Sequence, residues 1–380
     1  VIFQFSVLSC MLMITQVPYN AALIAHERMD IFAYLGIADV TLKLGIVFLL
    51  EWINFDKLIL YGFLFFVLSF VIMMAYRYYG TKHFEECRWK FTKDKTLLKP
   101  LLIFSGCDVY GNMSIMFRNQ GVNILQNMFW GPVINAATGV ANQILNAIMG
   151  FSRNFTTAIQ PQIIKFYAQE DYQQVQVLAT RCAKFSFFLL FLFSFPALLK
   201  VNFVMDLWLK EVPDYAFLFC QLAIVYNWFD TMIAPLNMII HATGRMKRIS
   251  FVTGSIYLLT VPLTYLFLKM GYSPTTPFVV NIFITIAAGL HNLYLVKLYI
   301  PEFKAMSFLW NGVVYPLLVT GLGAVIPLIA NNLIGDRFWN FIMICSLCVI
   351  CELFAIFYLG FNVHERIRIK EMVKHKFQKE

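Results

Sequence analysis

Charge is what this sequence has least of. Only 13% of its 380 residues are Asp, Glu, Lys or Arg, against about 25% in soluble globular chains. Hydrophobic residues make up 60% and mean hydropathy is +0.69, which excludes an ordinary soluble domain. Strand-period alternation is missing, and with it any reason to expect a barrel. Also missing are His-Glu-x-x-His, Gly-x-Ser-x-Gly, a phosphate-binding loop ending in Gly-Lys-Ser/Thr and the dinucleotide-binding glycines. No catalytic constellation is therefore expected, nor the ATP-hydrolysing part of a pump. The eight cysteines lie mostly in apolar runs and form no disulfide framework. Cys345, Cys348 and Cys351 have metal-like spacing but no His or carboxylate cluster beside them, so they read as one face of a packed helix. The net charge of +9 offers nucleic acid no folded platform and belongs to loops at a membrane surface.

What is there in abundance is apolar sequence at membrane length. A spanning helix needs about 20 mostly apolar residues. Eleven stretches qualify: 1–25, 31–51, 58–76, 100–128, 132–164, 180–199, 215–243, 249–269, 277–296, 309–331 and 338–360. The fold class expected is an all-α polytopic membrane protein. Lys and Arg alternate between the connections: 22 of the 30 fall on one side and five on the other, with Lys43, Arg118 and Arg153 inside helices. The positive-inside rule puts the rich side in the cytoplasm, residue 1 on the periplasmic side and the C-terminus inside. The one long charged connection, 78–99, reads as a cytoplasmic linker held by anionic lipid. The tail, 361–380, reads as a basic anchor on the membrane surface.

One stretch occurs twice. Residues 18–29 read P-Y-N-A-A-L-I-A-H-E-R-M and residues 235–246 read P-L-N-M-I-I-H-A-T-G-R-M. Pro18 and Pro235, Asn20 and Asn237, Ala25 and Ala242, Arg28 and Arg245, and Met29 and Met246 are each separated by 217 positions. Both copies end an outside-to-inside span, so Pro18, Asn20, Arg28, Pro235, Asn237 and Arg245 are candidates for kinks and gating. The second copy closes the fourth span after the linker, the first copy closes the first span of the chain. The expectation is two lobes of six helices plus two extra helices, fourteen in all, with three helices missing at the front, where the chain starts at Val1 inside an apolar run. The divisions are 1–77 (partial N-lobe), 78–99 (linker), 100–296 (C-lobe), 297–360 (two extra helices) and 361–380 (tail).

Polar groups inside the spans mark candidate sites. In 100–128, Asp108, Asn112, Asn119, Asn123 and Gln126 share one helical face, flanked by Arg118. In 132–164, Asn135, Thr138, Asn142, Asn146, Arg153 and Thr157 do the same. Two adjacent polar stripes read as walls of a wet cavity rather than as interhelical glue. Arg118 and Arg153 would offer guanidinium forks to phosphate at two depths. Asp39 and Lys43, four residues apart, can neutralise each other. Asp230, near Asn227 and His241, is a candidate for a coupling sodium ion or proton. His291 and Asn292 are expected at an interface. No cofactor is implied.

The stretch P-Y-N-A-A-L-I-A-H-E-R-M-D-I-F-A-Y (18–34) resembles polysaccharide flippases of the Wzx type. So do G-P-V-I-N-A-A-T-G-V-A-N-Q-I (131–144) and N-F-T-T-A-I-Q-P-Q-I-I-K-F-Y-A (154–168). These belong to the superfamily that also holds MATE drug exporters and the lipid II flippase. The resemblance covers essentially the whole chain. It implies alternating access by two six-helix lobes, a cationic cavity, and carriage of undecaprenyl-diphosphate-linked oligosaccharide across the bacterial inner membrane for O-antigen, capsule or exopolysaccharide assembly. Membrane lipids and polysaccharide assembly proteins are the implied partners. The rival readings are a cation-coupled small-molecule exporter of the MATE kind, which favours acidic cavity residues, and a membrane-integral polysaccharide polymerase or ligase. The latter places catalytic residues in a large outer loop, and the longest outer connection, 200–214, is short.

Overall fold

A computed structural model describes residues 2–52, 56–88, 94–209, 211–333, 338–361 and 365–366, and no strand occurs among them. Val1–Lys95 and Thr96–Glu380 form two compact units. The first contains α1 (Ile2–Ala25), α2 (Met29–Trp52) and α3 (Lys57–His83). The second is built from α4 (Lys95–Trp130), α5 (Pro132–Ala168), α6 (Tyr172–Leu199), the short α7 (Val201–Trp208) and α8 (Ala216–Thr243). It continues through α9 (Met246–Lys269), α10 (Thr276–Tyr299), α11 (Ala305–Leu333) and α12 (Phe338–Gly360). Nine helices among the described residues are long and apolar enough to cross a membrane. The two long helices outside that set, α4 and α5 at 36 and 37 residues, have the length but carry the polar stripes.

The local chemistry explains the ends. Asp56 caps α3 by accepting from the backbone N–H groups of Leu58 and Ile59 at 3.0 and 3.2 Å. Asp171 does the same for α6 through Gln174 N–H at 3.0 Å. That cap starts α6 at Tyr172, eight residues before the apolar run expected at 180. Between α4 and α5 the backbone reverses at Gly131, whose φ of +81° suits glycine, and Pro132 opens α5 at the position where a missing N–H costs nothing.

The expected linker 78–99 is shorter than its charge implied. α3 runs on to His83, and a 3₁₀ turn follows at Glu85–Cys87. The close fit at Gly80, where a Cβ would lie 3.0 Å from Tyr19 and 3.2 Å from the Cys87 sulfur, holds this extension against α1. At its other end α4 begins at Lys95, with Pro100 inside the helix. The connection 200–214 contains α7, and α11 starts at Ala305 rather than 309. Lys90, Lys93, Lys210, Arg337 and nearly all of the tail 361–380 lie outside the described residues.

The 217-residue offset extends beyond the repeated letters. Moved back by 217, the bounds of α9 become 29–52, those of α2, and the bounds of α10 become 59–82, against 57–83 for α3. In the first unit α3 packs along both α1 and α2, and in the second α10 packs along both α8 and α9.

The second unit is centred on α5, α6 and α8. Ile163, Val175, Ala179, Leu236 and Ile239 form one core, and Ile134, Ala137, Met205 and Phe219 form another. A third core joins Phe187, Phe191 and Phe195 of α6 to Val319 of α11 and Ile344 and Cys348 of α12. Cys348 is thus a packing residue, and no group of three His, Cys, Asp or Glu residues suited to a metal occurs among the described residues.

Candidate functional site

A cavity of about 480 Å³ opens between five helices of the second unit. α4 contributes Arg118, Asn119, Val122, Asn123 and Gln126, which recur at helical spacing and therefore share one face. α5 contributes Thr138, Asn142, Asn146 and Arg153. Across from them stand Tyr226, Asn227 and Asp230 of α8, Tyr257 of α9 and Asn281 of α10.

Arg118 is the fixed point of this site. It is 5% exposed, and its Nη2 donates to the Tyr226 hydroxyl at 3.2 Å while its Nε donates to Asn119 Oδ1 at 3.2 Å. Its guanidinium also lies over the Tyr257 ring, 4.9 Å from the centroid, a contact that stabilises a cation once water is excluded. A guanidinium has five N–H donors, so this clamp orients the fork without exhausting it. Arg153 is exposed and makes no side-chain hydrogen bond among the described residues. Asp230 interacts electrostatically with both arginines, leaving the lining with two guanidiniums and one carboxylate.

Two buried amide atoms in this lining lack partners among the described residues. Gln126 accepts from the Thr138 hydroxyl at 3.1 Å, but its Nε2 is unsatisfied, as is Asn281 Oδ1. Buried amide atoms left unpaired are costly, so they call for water or a hydroxyl-bearing ligand.

The sequence-predicted residues divide by depth. Arg118, Asn119, Asn123, Asn142, Asn146, Arg153 and Asp230 meet in the cavity. Asn135 lines an adjoining space of about 340 Å³ that shares Asn123, Thr138 and Asn142 with it. Asp108 and Asn112 do not reach it. They bond to each other, Asn112 Nδ2 donating to Asp108 Oδ2 at 3.1 Å. Asp108 precedes Arg118 by ten residues, about 15 Å of helix rise, so it shares the face but not the level. Tyr226, Tyr257 and Asn281 are not among the residues the sequence singles out; a tyrosine in an apolar run gives no polar signal until a guanidinium is placed against it.

The remaining candidates lie elsewhere. In the first unit Lys43 Nζ donates to Asp39 Oδ2 at 2.6 Å, and the ammonium sits 5.5 Å from the Phe65 ring centroid. Pro18 and Pro235 fall inside α1 and α8. Arg28 bonds Asp30 with Nε and Nη2, both at 3.1 Å, and lies over the Tyr79 ring. Arg245 lies over the Tyr299 ring, so each repeated arginine covers a tyrosine of the third helix of its set. Asn237 accepts from Asn292 Nδ2 at 2.7 Å, and Asn292 Oδ1 accepts from the Thr253 hydroxyl at 2.7 Å, joining α8, α9 and α10. Asn292, expected at an interface, is fully buried. Moved back by 217, Thr253 and Asn292 fall on Gly36 and Ala75, and Asn20 Oδ1 has no partner among the described residues. The echo is of architecture, not of this network.

These observations define a class, a multi-pass, all-α membrane protein with a polar cavity inside its second unit. No family model matches the chain, and no curated protein matches it.

Proposed function

We propose that this protein is a flippase of the Wzx type that carries undecaprenyl-diphosphate-linked oligosaccharide across the bacterial inner membrane by alternating access. The eleven long helices cross the membrane in two pseudo-symmetric lobes, α1–α3 belonging to one and α4–α10 to the other. Residue 1 is periplasmic and the C-terminus cytoplasmic. The product feeds O-antigen, capsule or exopolysaccharide assembly.

The observation that carries this reading is the cavity's charge. Two arginines and one carboxylate favour an anion, and the planar forks suit phosphate oxygens. Asn119, Asn123, Asn142, Asn146 and Asn227 supply donors and acceptors suited to sugar hydroxyls. By helix rise Arg118 lies about 18 Å, and Arg153 about 32 Å, from the α4–α5 turn. A diphosphate is far shorter than the difference, so the arginines act as successive stations rather than as one clamp. Asp230, between them electrostatically, is the candidate for a coupled sodium ion or proton. The MATE-type alternative needs an acidic cavity for cationic substrates, and this lining does not favour it.

The test is complementation. The full-length protein should restore surface polysaccharide to a strain lacking its own flippase and confer no resistance to cationic dyes. Dye efflux without surface polysaccharide would assign the protein to the exporter class.

A further inference from the structure

A second cavity in the second unit is larger than the one just described. About 650 Å³ opens at the end of the bundle where α6 begins and α10 ends, bounded by α6, α11 and Glu365. Arg181 and Lys184 project into it from one face of α6, three residues apart. The Lys184 side chain is only 7% exposed. Its ammonium donates to Glu365 Oε2 at 2.7 Å and to the Gly360 carbonyl at 3.3 Å. Arg181 Nε lies 3.6 Å from Glu365 Oε1. The carboxylate that neutralises both cations thus comes from a residue 181 positions after Lys184.

A buried ammonium needs an anion beside it, because leaving it unpaired away from water is costly. Glu365 meets that need with one carboxylate, yet the cavity is far larger than a carboxylate. The rest of its wall includes the Thr180, Ser307 and Tyr315 hydroxyls, Asn311 and a third cation, Lys304, beside Val177 and the Tyr172 ring. Its rim is rigid. Gln176 bonds the backbone of Lys304 in both directions, at 2.9 and 3.3 Å, and the Tyr315 hydroxyl donates to the Leu359 carbonyl.

We propose that this cavity is an anion site for a phosphate group, with Glu365 as its resident competitor. Three cations face the space against Glu365 and Glu302. Withdrawing the Glu365 carboxylate leaves Lys184 and Arg181 aimed at a volume that accepts a phosphate and its ester substituent. Two sources share that chemistry, the headgroup of an anionic phospholipid and free phosphate. The site is separate from the cavity holding Arg118, and its occupation does not depend on the substrate carried there.

Inorganic phosphate is titrated into the purified protein in nanodiscs of phosphatidylcholine alone, and phosphatidylglycerol retained from mixed nanodiscs is counted by native mass spectrometry. Glu365→Gln removes the competing charge and is expected to tighten anion binding about tenfold. Arg181→Gln, at a half-exposed position, is expected to weaken it by a similar factor without unfolding the bundle. A gain confined to retained phosphatidylglycerol assigns the site to lipid; a gain in phosphate titration assigns it to the free ion. Unchanged binding of both probes in Glu365→Gln, or a loss of binding, overturns the proposal and leaves Glu365 as a structural tie.

Discussion

Replacing Arg118 by lysine keeps the positive charge and removes the fork. In the wild type the guanidinium is held by Tyr226 at 3.2 Å, by Asn119 at 3.2 Å and over the Tyr257 ring at 4.9 Å. Its remaining donors can still address an anion. An ammonium cannot satisfy the tyrosines and also offer two parallel N–H groups to phosphate. Losing one hydrogen bond to a charged partner costs about 1.5–3 kcal/mol, so Arg118→Lys should bind undecaprenyl diphosphate about 10- to 100-fold more weakly. Arg118→Ala goes further. It leaves Arg153 and Asp230 to cancel, so binding should fall at least as far and surface polysaccharide should disappear. Tyr226→Phe removes a single contact of roughly 1 kcal/mol, a loss of about fivefold. Binding is read by thermophoresis on detergent-purified protein, with the melting temperature as the check on folding. If Arg118→Ala binds undecaprenyl diphosphate within twofold of the wild type and melts normally, Arg118 is a structural cation and not an anion-binding group.

The helix seams give further tests. A Cβ on Gly121 would lie 2.7 Å from Val261 Cγ2, so Gly121→Val should force α4 from α9 and lower the melting temperature, whereas Gly106→Ala meets open space and should not. Asn292→Leu breaks the Thr253–Asn292–Asn237 chain in the second unit and should destabilise it by about 1–2 kcal/mol in a chemical unfolding titration. Asn20→Leu, whose Oδ1 has no partner to lose, should cost clearly less or nothing. In the 3₁₀ turn after α3, the hydrogen bond from His26 holds the Glu86 carboxyl below its ordinary value. A depressed carboxylate contributes stability above the ordinary carboxylate range and loses it as pH falls through the lowered value. Hydrogen exchange at Cys87 and Arg88 should therefore rise below about pH 4, and Glu86→Gln should remove that pH dependence.

What could be read from the letters, and what could not, follows from how helices encode position. Apolar length and the 3.6-residue period place Arg118, Asn123, Asn142 and Arg153 on two inward faces, and the structure brings them to one cavity. The same period puts Asp108 and Asn112 on that face too, although they pair with each other away from the cavity, because spacing fixes a direction around the axis and not a level along it. Tyr226 and Tyr257 were illegible for a different reason. Their hydroxyls and ring faces gain meaning only from Arg118, more than 100 residues earlier in the chain. Asn292 near a helix end read as interfacial because nothing local announces Thr253 and Asn237. The apolar run alone does not mark the start of α6, because its first turns, with Gln173, Gln174 and Gln176, are polar and the helix there is set by the Asp171 cap.

The most direct test of the flippase reading is translocation itself. The full-length protein is reconstituted into liposomes carrying a labelled undecaprenyl-diphosphate oligosaccharide in one leaflet, and the sugar's exposure to an impermeant glycosidase is followed on the opposite side. Exposure is expected to depend on the protein and to be lost with Arg118→Ala. Oligosaccharide that stays in its own leaflet, while the same vesicles move a small organic cation, would contradict it.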